Sequence, residues 1–101
     1  MAATAKALFR GAATTTTTTT LYTVPASTTT VVTQIVVVNT SASSQTVTMF
    51  LNGIDILSAA AVPANTTYVL DLKQPLTATQ TIQGGASATS VDLHVSGVEI
   101  T

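Results

Sequence analysis

The chain has 101 residues, of which 46% are hydrophobic and 7% are charged, and its formal net charge is −1. A chain of this length builds one domain with one core, and its apolar content excludes an intrinsically disordered protein. Three cations in all argue against a nucleic-acid or anionic membrane partner, and the lack of cysteine excludes disulfides and thiolate metal sites. No apolar run approaches the roughly 20 residues of a membrane-spanning helix.

The low charge also determines the character of the surface. Soluble domains carry charged residues on roughly 25–35% of their surface, whereas this chain has three basic and four acidic side chains in total. Its surface must therefore consist largely of Thr, Ser, Asn, Gln and Ala. Such short neutral side chains lose little rotamer entropy when they pack against a partner, so the composition favours a protein that is permanently buried in an assembly.

The first 20 residues differ from the rest of the chain. Residues 3–11 have weak strand character, and the threonine run at 14–20 is too β-branched and too poor in core residues for a stable helix. We therefore expect an extended N-terminal arm over residues 1–20 and one β-sandwich domain over residues 21–101. The arm has too little apolar surface to offset its ordering entropy, so we expect it to become ordered only against a partner.

One short motif in the arm is a candidate docking site. An apolar pair lies between two cations in an otherwise neutral segment, and the four residues are Lys6, Leu8, Phe9 and Arg10. We expect the apolar pair to occupy a groove on a partner and the cations to contact carboxylates or carbonyls at its rim. Deletion of residues 2–13 is accordingly expected to leave the domain folded with nearly the same melting temperature and to reduce its incorporation into an assembly.

From residue 21 onward, a period of two in Val, Ile and Thr predicts β-strands. The segment 29–38 is apolar on both faces, which is typical of a central strand, and Asn52-Gly53 predicts a tight hairpin with positive φ at both positions. Gly84-Gly85 predicts a loop after a short strand at 79–83. The apolar phase moves at Gly97, which predicts a β-bulge in the last strand.

Seven to eight short strands with turn signals every 8–12 residues predict an all-β fold, an antiparallel sandwich of two sheets that is Ig-like or jelly-roll-like. A small barrel is the alternative. The alternation places most of the core on Val32, Ile35, Val37, Val47, Met49, Leu51, Leu70, Val91, Leu93 and Val95.

The sequence offers little chemistry. His94 lies on the polar phase of a strand with no nucleophile nearby, and Asp55, Asp71 and Asp92 do not lie in the dense acidic loop that a calcium site requires. Gly84-Gly85 lacks the lysine and the following helix of a phosphate-binding loop. We therefore expect no catalytic residue, no metal site and no cofactor.

Several segments together resemble a family of small virion proteins of tailed bacteriophages, especially phages of actinobacteria. They are LYTVPASTTTVVTQIVVVNTS, the LNG hairpin, LDLKQPLTATQTIQG and the terminal HVSGVEI, and the resemblance runs from about residue 21 to residue 101. It implies a β-sandwich that is a particle component, either a decoration protein on the capsid or a small accessory protein of the head or tail.

Composition and the absence of an active-site constellation favour a non-enzymatic protein, and the resemblance implies a virion protein that is made in the cytoplasm of the bacterial host and located on the capsid surface. The resemblance implies a decoration (cement) protein that binds the major capsid protein or other virion proteins, and we expect a homo-oligomer, with a trimer favoured. Strand addition and multivalency would supply the affinity, because no covalent chemistry is available. The alternative is a tail or fibre module that binds a host-surface glycan or protein.

Overall fold

The computed structural model describes residues 2–101, and these residues form eight strands and no helix. The strands are β1 (Ala3–Ala12), β2 (Thr20–Thr23), β3 (Thr29–Asn39), β4 (Gln45–Leu51), β5 (Ile54–Val62), β6 (Thr66–Leu76), β7 (Thr81–Ala86) and β8 (Val91–Ile100). They form two four-stranded antiparallel sheets, so the predicted all-β sandwich is confirmed. A helix able to cross a membrane is accordingly absent from the part of the chain that the structure describes.

The strand order shows which kind of sandwich this is. One sheet has the order β1-β8-β3-β6 and the other has the order β2-β7-β4-β5. The pairs β1–β8, β2–β7, β3–β6 and β4–β5 are nested inside one another, as in one long hairpin. Rolling that hairpin adds the β3–β8 and β4–β7 pairs, which produces an eight-stranded jelly roll. Of the two sandwich types that the sequence predicted, the structure has the second.

The core lies between the two sheets and is centred on β3, which is flanked by β8 and β6. All predicted core residues are buried except Leu70, which is half-buried on the edge strand β6. The sequence analysis missed several buried residues on short strands, at edges or next to turns: Leu8, Val24, Leu57, Val62, Leu76 and Ile82. Short and edge segments give too few alternating positions to reveal which face is buried.

The β4–β5 hairpin is confirmed. Leu51 pairs with Ile54, and the two residues between them have positive φ, 51° at Asn52 and 77° at Gly53. Both values belong to the left-handed region, which Asn and Gly tolerate and which matches the twist of the flanking strands.

The predicted loop at Gly84-Gly85 is wrong, because both glycines lie inside strand β7 and are buried. The backbone of the threonine run crosses this strand. A Cβ atom on Gly85 would lie 2.6 Å from the Thr16 carbonyl oxygen and 2.8 Å from the Thr14 carbonyl oxygen. The pair of glycines therefore provides close approach between backbones and not a turn.

The predicted bulge at Gly97 is misplaced. Strand β8 alternates without interruption, and the extra residues lie in the strands on either side of it, at Leu8 in β1 and at Thr33 in β3. The Thr33 hydroxyl donates a hydrogen bond to the Ser96 carbonyl at 3.2 Å. The apparent change of phase arises because Glu99, a charged residue, occupies an inward position beyond Gly97.

The N-terminal segment also differs from the predicted arm. Residues 3–12 form strand β1, which pairs along its length with β8 of the same chain, and Ala2 and Thr101 exchange two backbone hydrogen bonds at 2.9 and 2.8 Å. The buried Leu8 and a backbone ladder interrupted only by the bulge at that residue stabilise β1. Association of this segment with a second molecule stays a prediction.

Truncation in the central strand should be strongly destabilising. Ile35 is fully buried between the sheets, so we expect Ile35→Ala to lower the free energy of unfolding by about 2–5 kcal/mol through lost burial and the resulting cavity. Chemical denaturation measures this change. Val69→Ala on the exposed face of β6 is the control and should change stability far less, since Val69 is 49% exposed. Equal effects of the two substitutions would contradict the assigned core.

Alanine at Gly85 should be poorly tolerated, because its Cβ would collide with backbone atoms that cannot rotate away. We expect Gly85→Ala to lower the unfolding free energy by roughly 1–3 kcal/mol, as overpacking does. Gly11→Ala is the matched control, since a Cβ there meets only the Phe9 ring at 3.5 Å, an ordinary contact. A Gly85→Ala protein as stable as the Gly11→Ala protein would show that the threonine run does not cross β7 as described.

Candidate interaction surfaces at the sheet edges

The four predicted docking residues all lie on strand β1, at one edge of a sheet. Lys6 and Arg10 are exposed, Leu8 is buried and Phe9 is half-buried. The bulge at Leu8 allows two consecutive apolar residues to contact the core. The apolar pair thus packs against the core of its own chain, and docking of these four residues on a partner stays a prediction.

The recess that receives Leu8 depends on the glycine opposite it. A Cβ atom on Gly97 would lie 3.0 Å from Leu8 Cδ1 and would collide with the Val31 carbonyl oxygen. Gly97 therefore permits both the tight contact with β3 and the seating of Leu8. The sequence marked Gly97 as unusual, but the reason is this close approach from two neighbouring strands.

A polar cluster fixes β1 and β2 to the sandwich at the same edge. We call it the Glu99 cluster, and it consists of Lys6, Tyr22, Thr30 and Glu99. Lys6 Nζ donates to both Glu99 oxygens at 3.3 and 3.4 Å, and the Tyr22 hydroxyl donates to Glu99 Oε2. Since the tyrosine proton is committed to Glu99, the Thr30 hydroxyl donates to the Tyr22 oxygen at 2.9 Å. Four strands from both sheets meet in this cluster.

The Glu99 cluster perturbs the acidity of its members. The hydrogen bond from Tyr22 is the largest effect and holds the pKa of the Glu99 carboxyl below its ordinary value; burial opposes it, and Lys6 acts in the same direction as Tyr22. Burial raises the pKa of Tyr22, and the hydrogen bond to Glu99 raises it further. The cluster therefore holds a carboxylate and a neutral phenol at neutral pH. No local sequence pattern predicts this cluster, because its members are up to 93 residues apart.

The threonine run is anchored to the opposite sheet. Ala13 is buried and its N–H donates to the Val91 carbonyl at 2.7 Å. The N–H groups of Ala86 and Gly84 donate to the carbonyls of Thr14 and Thr19 at 2.9 and 3.0 Å. From Ala13 onward the N-terminal segment is therefore bonded to β8 and β7, and it continues into β2, the edge strand of the second sheet.

Strand β6 forms the other edge of the same sheet. Its first half, Thr66 to Leu70, has no charged residue and exposes Tyr68 and Val69 to 38% and 49%. The second half contains Asp71, Lys73 and Pro75 and places two residues opposite Thr33. Charge, proline and bulges are features that discourage strand addition. The first half of β6 is thus the more open part of this edge.

The remaining candidate residues lie apart. His94 is half-buried on the outer face of β8, opposite Arg10 on one side and Val36 on the other. In residues 2–101 no three His, Asp or Glu side chains converge in a way that could hold a metal ion.

The sequence analysis did not identify Asn39 as a buried polar residue. It lies at the end of β3, and its side-chain amide donates to the carbonyls of Ser43, Val62 and Pro63 at 2.9, 3.0 and 3.2 Å.

Comparisons with known proteins give a structural similarity. No family model matches the chain, and no curated protein matches it either. Among solved structures, the chain is similar to a pentameric capsid protein isolated from metagenomic phage sequences, with 19% sequence identity and a TM-score of 0.34. The similarity covers 96% of this chain and 59% of that chain, so this chain spans less than two thirds of its length.

The Glu99 cluster should make stability sensitive to acid. Because the pKa of Glu99 is lowered in the folded state, its contribution is fully present above the ordinary glutamate pKa of about 4.3 and is lost as the pH falls through the lowered value. Denaturant midpoints measured from neutral to acid pH should therefore fall less steeply in Glu99→Gln than in the wild type. Tyr22→Phe should also flatten this dependence, since it removes the largest cause of the shift. An unchanged acid slope in both variants would contradict the cluster.

Proposed function

We propose that this chain is a non-enzymatic virion structural protein, a decoration protein that self-associates and binds the capsid of a tailed bacteriophage. The observation that carries the proposal is the pair of long edge strands at opposite sides of one sheet. Within the described chain neither the outer edge of β1 nor that of β6 is covered by another strand. Exposed strand edges associate with other strands through backbone hydrogen bonds.

The surface around these edges supports the same proposal. The whole chain has seven charged residues, three basic and four acidic, and one of the three cations, Lys6, is paired with Glu99. Natural edge strands are commonly protected by charge, lysine above all. A chain with so little charge is suited to a location where its edges are covered by neighbours. A particle that displays many copies provides that location and multiplies a weak contact into firm attachment.

The fold is consistent with this role. Jelly rolls are used by viral capsid proteins, and lectins use them as well. This is an argument from fold alone, and it supports both the capsid role and the alternative, a tail or fibre module that binds a host glycan. Copy number separates the two: hundreds of copies in each particle favour decoration of the head, and a handful favours the tail.

The predicted docking residues enter the proposal through strand β1. Leu8 and Phe9 supply the apolar contacts of this strand, and Lys6 and Arg10 lie exposed beside them. We propose that this strand contributes to attachment, either through its free outer edge or by pairing with a neighbour in place of its own β8. The partners are other copies of this chain and the major capsid protein. The proposed self-assembly is a homo-oligomer, with a trimer favoured.

Removal of β1 should abolish attachment to particles. We expect a variant that lacks residues 2–12 to load onto particles at a small fraction of wild-type occupancy, as measured by quantitative gel densitometry of purified particles. The structure also changes the expectation for stability: the deletion removes Leu8 from the core, at about 1.5–3 kcal/mol for a side chain of this size, so the melting temperature should fall.

A matched variant separates docking from stability. Leu57→Ala in the full-length chain keeps β1 intact and removes a β5 leucine that is as buried as Leu8, 7% exposed in both cases, so it should lose stability and still load well above the deletion variant. Both proteins are tested below their melting temperatures. A deletion variant that is folded and loads at wild-type occupancy would show that β1 has no part in attachment.

A further inference from the structure

We propose that strand β1 is exchanged between copies of this chain, so that residues 2–10 of one molecule pair with strand β8 of the next. This inference rests on the self-association in the proposed function. It chooses exchange over addition at the free outer edge, and it adds the recess that accepts the strand and the point at which the chain changes direction.

The accepting surface is the edge of β8 together with the recess beside Gly97. In this structure that surface is filled by β1, whose Leu8 lies within the recess and whose Lys6 reaches Glu99. A second copy has the same β1 sequence and therefore fits the same surface in the same register. Exchange preserves the β1–β8 contacts, so any additional contact between the two molecules is a net gain.

The donated strand is held by few side-chain contacts. Of the ten residues of β1, Leu8 is buried and most of the others are exposed. The side-chain bonds of β1 in the described chain are those from Lys6 to Glu99, and Lys6 itself is 49% exposed. Ion pairs in such exposed positions contribute little. The backbone ladder to β8 supplies most of the remaining attachment, and a neighbour's ladder is equivalent to it.

The point at which the chain changes direction follows from the anchoring of Ala13. Its buried side chain and its hydrogen bond to Val91 hold the chain on the sandwich, and the threonine run after it is bonded to β7. The hinge must therefore precede Ala13 and falls at Gly11 and Ala12. Gly11 adopts a wider range of backbone conformations than any other residue type would, which suits a hinge.

The donated segment is long enough to reach a neighbour. Residues 2–10 span about 30 Å when extended, whereas the sandwich measures 45 × 21 × 18 Å. The strand therefore crosses more than one width of the molecule. Each copy then donates one strand and accepts one, and such a head-to-tail arrangement closes into a ring when the rotation between copies permits it.

An engineered disulfide tests the exchange directly, because the natural chain has no cysteine. Ala5 lies opposite Val98 in the β1–β8 pair, and directly opposed Cα atoms in antiparallel strands lie about 4.5–5.5 Å apart, within disulfide range. We expect the Ala5→Cys/Val98→Cys double variant, oxidised in its assembled state, to migrate on non-reducing gels as covalently linked multimers that collapse to one chain on reduction.

The control is a second pair within the sandwich. Val36 lies opposite Val69 in the β3–β6 pair, where no exchange is proposed, so Val36→Cys/Val69→Cys should form its disulfide within one chain and migrate as a monomer. Sedimentation of the wild-type chain measures self-association independently. If the wild type is oligomeric or particle-bound and Ala5→Cys/Val98→Cys links only within single chains, exchange is overturned and the proposed function stands. A wild type that is monomeric and does not load onto particles overturns both.

Discussion

The pairing of β8 with β1 on one side and β3 on the other is the interaction on which the rest of the structure depends. It joins the first and last strands of the chain in one sheet and closes the nested hairpin that begins at Asn52-Gly53. Inner pairs form between segments close in sequence, whereas the β1–β8 pair joins residues about 90 apart. Pairing residues that are this far apart in sequence carries the largest loop-closure entropy cost. Chain connectivity therefore favours this outermost pair less than it favours the inner pairs.

Close backbone approach is the second requirement of the fold. Gly97 allows β3 and Leu8 to press against β8, and Gly85 allows the threonine run to cross β7. Gly85 lies where the chain passes from one sheet to the other, and Gly97 lies where the two neighbouring strands each contain an extra residue. The threonine run suits its crossing because its carbonyls accept hydrogen bonds from β7 while its side chains stay short and polar. Glycine and threonine together thus connect the edge strand to the opposite sheet.

Features that depend on a local pattern could be predicted from the sequence. They are the fold class, the central strand β3, the Asn52-Gly53 hairpin and most of the core. The strand assignments of residues 3–12 and of Gly84-Gly85 could not be predicted, since both depend on a partner distant in sequence. The Glu99 cluster was hidden for the same reason, and Glu99 was even misread as evidence for a bulge. An inward charged residue interrupts an apolar pattern in the same way as an inserted residue, and only its partners distinguish the two.

The low charge of the chain leaves the two edges of the β1-β8-β3-β6 sheet only partly protected against strand addition. A sheet edge in a soluble protein is usually protected by charge, by proline or by a bulge, and the second half of β6 has all three. The first half of β6 lacks charge and proline, and β1 has a bulge at Leu8 and two cations, Arg10 and the Lys6 that is paired with Glu99. Protection is therefore partial and leaves open segments on both edges of one sheet. Since the end strands of a four-stranded antiparallel sheet run in opposite directions, each open edge has the orientation needed to extend the sheet of another copy.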